Sequence, residues 1–490
     1  MSYSIIMVAT EATPFSKTGG LADVAGALPL ALKRLGCRVT LFLPYYRETA
    51  LRGIDVEQTG LRVTVPLGSR EVEAEVLKAA NTEVPTYFIK RDEFFDRGGL
   101  YGTPDGDYFD NLERFAFFSR AVLETLRERR FEPDIIHCND WQTSLIPAYL
   151  KDVYKNDLCF AHTATVLTIH NIAYQGIFAP ELYPLTGLSP ALFNPEGCEF
   201  WGRLNLLKAG IVYADTLSTV SSAYSREIQT PEYGYGLEGV MQKRKAVLHG
   251  ILNGVDYNEW DPSTDRLIPA NYSADDLSGK DLCRKALLKE FGLKLKKGTP
   301  VVGMVSRLVD QKGFDILIEA IDEIMALDMG LVILGTGDKG YQEALKALSA
   351  KYPQKLSVRI AFDARLSHLV EAGSDIFLMP SRYEPCGLNQ IYSLRYATVP
   401  LVRATGGLDD TVRDFNGQDA NGFKFEEYSA DGLVEKLKEA LSVYKDRPKW
   451  LALMKKGMAE DFSWEAAAGR YIELYAEARK ACLKSNQPKR

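Results

Sequence analysis

Several features are scarce or missing in this chain of 490 residues. Its seven cysteines contain no C-x-x-C pair, which argues against a disulfide framework, and its five histidines show no metal-ligand spacing, so no metal site is expected. No apolar run reaches about 18 residues, so we expect no membrane-spanning helix. The start has no basic leader or transit segment and enters a strand-like run at once. We therefore expect a cytoplasmic protein.

Neither sign of charge dominates the composition. The chain carries 59 Lys and Arg against 65 Asp and Glu, a net charge of −6, which argues against general binding to nucleic acid or to a membrane surface. An anionic substrate would need positive charges gathered locally. The length exceeds what one compact core accommodates, so two or more domains are expected.

The first half of the chain alternates strand and helix patterns. Apolar residues at helical spacing predict a helix between residues 21 and 35, stopped by Gly36. Strands are predicted at 4–9, 38–43, 134–137, 165–170 and 215–220. The segments 61–65 and 84–89 alternate differently and predict an antiparallel or edge elaboration of the same sheet.

After a turn-rich stretch at 252–262, a second and more regular series of βα units begins near residue 301. Its predicted strands are 301–305, 330–334, 356–360, 376–379 and 400–403, and its predicted helices are 313–327, 341–350, 365–372 and 431–444. A last helix is predicted at 464–482, and the tail 484–490 is expected to be disordered. The architecture predicted is α/β, with two doubly wound domains in tandem and a cleft between them.

The run from Arg382 to Leu388 directly follows an apolar strand and precedes a predicted helix at 389–396. A carboxylate, Glu384, a turn-forming Pro385 and a flexible Gly387 therefore lie at the carboxyl edge of a sheet, beside the positive end of a helix dipole. Such an edge suits an anion. The alternative is an ordinary surface glutamate in a βα loop.

Two further strand-end loops bring cations to the predicted cleft. Lys17 stands before Gly19 and Gly20, where the backbone could approach a phosphate, and Arg307 and Lys312 lie five residues apart after a buried strand. The alternative for the first loop is a glycine turn with a solvated lysine, and for the second a solvated loop with ordinary salt bridges. Gly335 belongs to a Gly-x-Gly at another strand end, which is weak evidence by itself.

Other positions have both a structural and a functional interpretation. His170 lies at a strand end, and Phe362 at another could offer a stacking face for a base instead of a core side chain. Cys386 is interpreted as a small packing residue and not as a nucleophile. Aromatic residues are dense at 101–109 and at 233–235, where exposed rings could stack on sugars or anchor the loops.

Taken together, the sequence resembles the bacterial glycogen synthase and plant starch synthase family of retaining glycosyltransferases. The matching segments occur in family order and cover nearly the whole chain: 17–24, 137–141, 168–171, 251–256, 306–308, 311–313 and 384–388. The resemblance implies a GT-B fold, in which two Rossmann-like domains face each other across a cleft. It places the domains at 1–250 and 251–460, with residues 461–490 crossing back to the first.

The resemblance implies transfer of glucose from ADP-glucose to the non-reducing end of an α-1,4-glucan such as glycogen, with retention and with no metal or other cofactor. By position, Lys17, Arg307 and Lys312 would hold the diphosphate, and Glu384 and His170 would act beside the reacting sugar. The remaining nucleotide-sugar contacts implied are Gly20, Asn253, Gly335, Phe362, Cys386, Gly387 and Leu388. Asp140 and Tyr101 would lie on the acceptor side.

One departure from related enzymes is visible. Many retaining GT-B enzymes carry a second glutamate eight residues after the first, and Tyr392 occupies that position here. The glycogen and starch synthase branch shares this trait, so we interpret it as a mark of the branch. A UDP-glucose-dependent transferase, a glucan phosphorylase-like enzyme and a non-catalytic regulator that binds sugar nucleotide or glucan remain alternatives. The sequence does not indicate an oligomeric state.

Overall fold

The computed structural model describes residues 2–416 and 419–485, which form two compact units. Within the described residues, the first unit comprises the chain up to Val220, Ser225–Gly254 and the chain from Trp464 onward. The second comprises Ser221–Tyr224 and Val255–Ser463. The divisions expected from the sequence, after residues 250 and 460, lie a few residues earlier.

The strands, in chain order, are β1 (Ser4–Val8), β2 (Arg38–Pro44), β3 (Val56–Leu67), β4 (Arg70–Ala79), β5 (Thr86–Lys90), β6 (Gly102–Thr103), β7 (Gly106–Asp107), β8 (Ile135–Asn139), β9 (Ala164–Ile169), β10 (Ile177–Phe178), β11 (Glu199–Phe200), β12 (Arg203–Asn205), β13 (Thr216–Thr219), β14 (Leu248–Gly250), β15 (Val301–Val305), β16 (Gly330–Gly335), β17 (Leu356–Ile360), β18 (Ile376–Met379), β19 (Val399–Arg403) and β20 (Phe423–Phe425).

The α-helices are α1 (Gly20–Arg34), α2 (Arg47–Leu51), α3 (Asp92–Phe95), α4 (Asn111–Glu128), α5 (Asp140–Thr143), α6 (Leu145–Lys151), α7 (Leu206–Tyr213), α8 (Ser222–Glu227), α9 (Glu238–Lys243), α10 (Ser278–Phe291), α11 (Phe314–Glu319), α12 (Ile321–Ala326), α13 (Lys339–Lys351), α14 (Ala364–Gly373), α15 (Asn389–Arg395), α16 (Gly406–Thr411), α17 (Ala430–Lys445), α18 (Arg447–Met458) and α19 (Trp464–Ser485).

A nine-stranded sheet organises the first unit, with strand order β14-β13-β9-β8-β1-β2-β5-β4-β3. Neighbours from β14 to β5 pair in parallel, whereas β4 and β3 add an antiparallel edge. The prediction of an antiparallel elaboration is thus confirmed for the run at 61–65. The run at 84–89 differs in part, because β5 pairs in parallel with β2 and antiparallel with β4.

A six-stranded sheet organises the second unit, with strand order β17-β16-β15-β18-β19-β20 and parallel pairing throughout. Its predicted strands are confirmed to within a residue or two. The helix predicted at 313–327 is interrupted at Ala320 and forms α11 and α12. The first two residues of the predicted tail, Lys484 and Ser485, extend α19, and its remainder, 486–490, lies outside the described residues.

The last helix, α19, completes the hydrophobic core of the first unit. Tyr471, Leu474 and Tyr475 are buried with residues of β1 and α1 in one cluster. A buried hydrogen bond also joins α19 to the sheet, because Nδ1 of His137 on β8 lies 2.9 Å from the Tyr475 hydroxyl oxygen. The other ring nitrogen of His137 lies 2.6 Å from Thr168 Oγ1 on β9.

Each sheet has one point where the direction of winding reverses. In the sheet of the first unit, β1 lies between β2 and β8. In the sheet of the second unit, β15 lies between β16 and β18. Open parallel sheets bind ligands outside the carboxyl ends of the strands at such points. We therefore expect ligand-binding residues in the loops after β1, β8, β15 and β18.

Candidate active-site residues

The loop after β1 is organised by a buried carboxylate, Glu11. Its Oε2 accepts a hydrogen bond from the backbone N–H of Gly19 at 3.0 Å and another from that of Thr18. Its Oε1 accepts the hydroxyl hydrogens of Thr18 and Tyr101, each at 2.7 Å. Glu11 thus holds the 17–20 loop in one conformation. Glu11 was not predicted from the sequence, although its place just after β1 is a usable signal.

Lys17 extends from this loop and is exposed. Its Nζ lies 2.6 Å from Oδ1 of Asp23, in the first turn of α1. The N–H groups of Thr18 and Gly19 already donate to Glu11. An anion at the start of α1 would therefore bind the backbone N–H groups from Gly20 onward. An exposed pair of this kind is weak, so Lys17 can exchange its partner for a stronger one.

Tyr101 contributes its hydroxyl, and its ring is partly buried. The hydroxyl oxygen lies 2.8 Å from Thr10 Oγ1 and donates to Glu11. Burial, followed by the negative charge of Glu11, raises the pKa of Tyr101 well above its ordinary value. The residue therefore supports the 17–20 loop. An acceptor contact for it stays a prediction.

The loops after β8 and β9 meet through Asp140 and His170. The Asp140 carboxylate accepts the backbone N–H of His170 at 2.7 Å, and His170 Nε2 lies 2.9 Å from Oδ1 of Asn139. The Asn139 amide nitrogen donates to the carbonyl of Val8, so its oxygen must accept from His170. The remaining ring nitrogen, Nδ1, is then an acceptor. Asp140 itself adopts a left-handed φ of 55°.

Burial changes the charge states of these two groups. It lowers the pKa of His170 to about 4, so the imidazole is neutral at physiological pH. It also raises the pKa of Asp140 to about 7, against the opposing effect of the backbone N–H groups of His170 and Asn171. The arrangement offers a neutral hydrogen-bonding ring instead of a cation.

Asn253 lies in the loop after β14, also in the first unit. Its side chain is buried, and its Oδ1 has no hydrogen-bond partner within residues 2–416 and 419–485. A buried acceptor without a donor costs free energy, about 1–3 kcal/mol. A ligand hydroxyl would satisfy it, which agrees with the sugar contact implied by the resemblance.

In the second unit, Lys312 and Glu384 form a buried ion pair between the loops after β15 and β18. Lys312 Nζ lies 2.5 Å from Glu384 Oε2, which also accepts the Ser381 hydroxyl at 3.2 Å. Both side chains are largely withdrawn from solvent. Backbone contacts link the same loops, since the Arg382 N–H donates to the Gln311 carbonyl at 2.9 Å. The sequence-predicted acid and cation are thus brought together.

Arg307 is exposed and lies in the loop after β15, which also contains Lys312. No ion-pair partner for its guanidinium occurs among the residues that the structure describes. Gly335, at the end of the neighbouring β16, packs so tightly that a Cβ there would lie 2.0 Å from the Ser306 carbonyl oxygen. A side chain is therefore excluded where the two loops meet.

Phe362 follows β17, the next strand in the sheet. Its side chain is 94% exposed, so it is not a core residue. Gly335 and Ile360 are register partners on β16 and β17, which brings the Phe362 loop beside Gly335. Whether a base stacks on this ring stays a prediction.

The 386–388 segment precedes α15 and packs against the loop after β19. Cys386 is buried, in keeping with a packing role, and Gly387 has a left-handed φ of 69°. The Gly407 N–H donates to the Glu384 carbonyl at 3.0 Å, and a Cβ at Gly406 would lie 2.0 Å from that oxygen. The segment is therefore fixed by close backbone packing. Leu388 is the residue just before the helix.

Comparison with known proteins assigns this arrangement to a family. The starch synthase catalytic domain profile matches residues 4–243, and the profile of group 1 glycosyl transferases matches 288–452. The glycogen synthase of Koribacter versatilis is 50% identical over 97% of this chain and 98% of its own length. That of Syntrophotalea carbinolica is 45% identical over 97% and 99%. The chain belongs to the glycogen and starch synthase family.

Solved structures agree with this membership. The catalytic domain of starch synthase IV from Arabidopsis thaliana, bound to ADP and acarbose, superimposes with a TM-score of 0.88 at 32% identity, over 98% of this chain and all of that one. The family resemblance, the GT-B fold and the assignment as a glycosyltransferase are thereby confirmed. Within the described residues, no helix is long and apolar enough to cross a membrane.

Tyr392 occupies the position at which many retaining GT-B enzymes have a second glutamate, and it packs among aromatic side chains. Tyr392 stacks on Trp260 with ring centroids 4.0 Å apart and planes 5° from parallel. The opposite face of Trp260 stacks on His368 at 3.8 Å. Tyr392 is therefore part of an aromatic stack inside the second unit.

No group of three or more His, Cys, Asp or Glu side chains within 2–416 and 419–485 is arranged to hold a metal ion. Independence from metal stays a prediction, as do the individual roles of the site residues. Most of the predicted site residues nevertheless share one feature, because they lie in loops at the carboxyl ends of parallel strands. In the first unit, Lys17 and Gly20 follow β1 and Asp140 follows β8 at the winding reversal, while His170 follows β9 and is bonded to Asp140. In the second unit, Arg307 and Lys312 follow β15 and Glu384 follows β18.

Proposed function

We propose that the protein transfers glucose from ADP-glucose to the non-reducing end of an α-1,4-glucan such as glycogen, with retention of configuration and without a metal ion. The observation that carries the proposal is the Lys312–Glu384 pair at the winding reversal of the second sheet, with Arg307 in the same loop as Lys312. The starch synthase relative bound to ADP and acarbose supports the choice of donor.

The charges fit the chemistry of this reaction. Breaking the bond between the anomeric carbon and the diphosphate moves negative charge onto the leaving nucleotide and positive charge onto the sugar. Arg307, Lys312 and Lys17 would stabilise the former, each by about 3–4 kcal/mol if it acts chiefly in the transition state. Glu384 would contact the donor glucose, orienting it and stabilising it at the reacting centre. Lys312 would then exchange its carboxylate partner for a phosphate.

Neutral groups would orient the sugars. The buried Oδ1 of Asn253 would accept a hydroxyl hydrogen, and His170, uncharged because burial lowers its pKa to about 4, would make a polar contact beside the anomeric carbon. Asp140 fixes the backbone of His170 and would lie on the acceptor side. We expect Phe362 to stack on the adenine.

The donor assay tests the proposal. The protein is incubated with a maltooligosaccharide primer and either ADP-glucose or UDP-glucose, and both nucleotide release and chain length are measured. ADP release with α-linked chain growth is the expected result, unchanged by EDTA. UDP release would favour the UDP-glucose-dependent alternative, and binding without turnover a regulator. Loss of elongation in EDTA, restored by magnesium, would contradict metal independence.

The place of action in the cell is a separate expectation. No disulfide joins the seven cysteines, all of which lie in the described part of the chain, and thiols in a reducing compartment are kept in this state. A cytoplasmic location stays a prediction.

A further inference from the structure

An exposed tryptophan occupies a strained turn in the first unit. Strands β11 and β12 pair through Phe200 and Arg203, which leaves Trp201 and Gly202 as a two-residue turn. Both have left-handed φ values, 52° and 78°, the pattern of a type I′ turn. Such turns favour asparagine, aspartate and glycine, and a bulky side chain there is strained. Nevertheless the indole is 84% exposed, so no core packing accounts for it.

A second aromatic residue repeats this combination. Tyr235 has a φ of 50° and is 44% exposed, and it precedes Gly236, whose φ is 83°. A Cβ at Gly236 would lie 2.9 Å from the Phe200 ring and 3.9 Å from Trp201 Nε1. The loop that carries Tyr235 therefore lies directly against the turn that carries Trp201. We refer to Trp201 and Tyr235 as the aromatic pair.

Two buried amide side chains form a hydrogen-bonded chain that ends on the loop containing Tyr235. Gln175 Nε2 donates to the Tyr235 carbonyl at 3.0 Å, and Asn205 Nδ2 donates to Gln175 Oε1 at 2.7 Å. Both amide side chains are buried. Strained residues persist where the surrounding structure fixes them, and they concentrate at functional positions. Two exposed aromatic side chains are thus held at positions with left-handed backbone conformations, which cost free energy for residues of this size.

The position of the pair relates it to the acceptor side of the first unit. His170 directly follows β9, and residues 171–176 lead from it to β10, which pairs antiparallel with β12. The same segment contains Gln175, which supports Tyr235. The hairpin with Trp201 is therefore connected through a short supported segment to the residue expected beside the reacting sugar.

We propose that the aromatic pair is a docking platform for an α-1,4-glucan chain, outside the residues assigned to the transfer reaction. The choice of occupant rests on the proposed function, because a neutral polymer of pyranose rings presents apolar faces to aromatic rings and hydroxyls to the indole N–H. The platform would hold a long acceptor by units remote from its reacting end, so that binding of polymer exceeds binding of short primers.

Binding without donor tests the platform independently of transfer. Trp201→Asn removes the ring and suits the left-handed turn, so the fold is retained. Leu158→Asn is the matched control, because Leu158 is apolar, 88% exposed and in the same unit. We expect Trp201→Asn to weaken maltoheptaose binding about tenfold by calorimetry. Maltoheptaose should also protect an acrylamide-quenchable part of the fluorescence in the parent protein but not in this variant.

Kinetics with two acceptors complete the test. The KM for glycogen should rise about tenfold in Trp201→Asn and in Tyr235→Asn, with a much smaller effect on kcat and on the KM for maltotriose. Glucan binding that is unchanged in both variants would overturn the proposal, as would binding only of a protein partner at this surface. A protein that binds maltoheptaose through the pair but transfers no glucose would contradict the proposed function and leave the platform standing.

Discussion

At the scale of single residues, the site depends on carboxylates that hold cations and loops in place. Glu384 pairs with Lys312, and Glu11 organises the loop that contains Lys17. Only the first of these acids was identified from the sequence. Glu384 stands in a recognisable motif, whereas the function of Glu11 is evident only from its four hydrogen bonds.

Replacement of Lys312 by alanine tests the phosphate role. We expect Lys312→Ala to lower kcat by about 10²-fold or more, because the leaving diphosphate loses a fixed positive charge in the transition state. The measurement is steady-state kinetics with ADP-glucose and glycogen. Lys351→Ala, which removes an exposed lysine paired with Asp322 in the same unit, is the control and should change little. Unchanged kinetics in Lys312→Ala would rule out the role.

Replacement of Glu384 should separate binding from chemistry. In Glu384→Ala we expect most of the turnover to be lost while the donor Kd changes little, because Lys312 is released from its carboxylate partner and stays free to hold phosphate. Calorimetric titration with ADP-glucose alone and an assay of ADP release measure the two effects. If turnover survives, the acid has a purely structural role.

Replacement of Glu11 should weaken both folding and donor binding, because Glu11 holds the loop at 17–20. Glu11→Gln keeps the shape but replaces charge-assisted hydrogen bonds by weaker ones, so we expect a loss of about 2 kcal/mol in the free energy of unfolding. The donor KM should rise about tenfold, since Lys17 and the N–H groups at Gly20 are no longer held in place. Denaturant unfolding and donor titration measure these effects. Glu48→Gln, in an exposed helical pair with Arg52, is the control; equal effects in both variants would contradict the argument.

At the scale of elements, the contact between β8 and α19 makes the first unit sensitive to acid. Burial, with a smaller effect of His170, lowers the pKa of His137 to about 3, while its unfolded value is 6.5. The unfolded chain therefore binds more protons between these two values. Stability is lost as pH falls through that window, by up to about 1.4 kcal/mol per pH unit from this group.

The variant His137→Gln tests whether His137 causes the loss of stability at low pH. It removes the titrating ring that faces Tyr475 and Thr168, so we expect lower stability at pH 7 but a shallower decline towards pH 4. Part of the decline should remain, because His170 also has a lowered pKa. Urea unfolding at several pH values is the measurement. A slope identical to that of the parent protein would exclude His137 as a source.

At the scale of the whole molecule, a chain of net charge −6 is proposed to bind an anionic donor through a few cations. Salt screens such attraction, with a Debye length near 10 Å at 0.1 M. We expect the KM for ADP-glucose to rise several-fold between about 0.05 and 0.5 M salt, while the KM for the uncharged glucan stays nearly constant. A donor KM independent of salt would indicate that local positive charge contributes little.

The sequence predicted those features that local patterns encode. Most of the parallel strands, the glycine-containing loops and the positions of Lys17, Arg307 and Lys312 followed from strand ends and spacing, whereas the short parallel strands β14 and β20 were not predicted. The roles of Glu11 and Asn139 did not, because their partners are distant in sequence or are backbone groups. Strands β10–β12 were also missed, since elements of two or three residues leave no periodicity to detect.

The completion of the first core by α19 has a consequence for synthesis on the ribosome. Chains emerge from the amino terminus, and domains generally fold as they emerge. Here the amino-terminal sheet lacks α19 until the whole of the second unit has been translated, because residues 464–485 follow every segment of that unit. The unit made later can thus be the first to mature, and the earlier one must avoid aggregation in the meantime with Tyr471 and Tyr475 still untranslated.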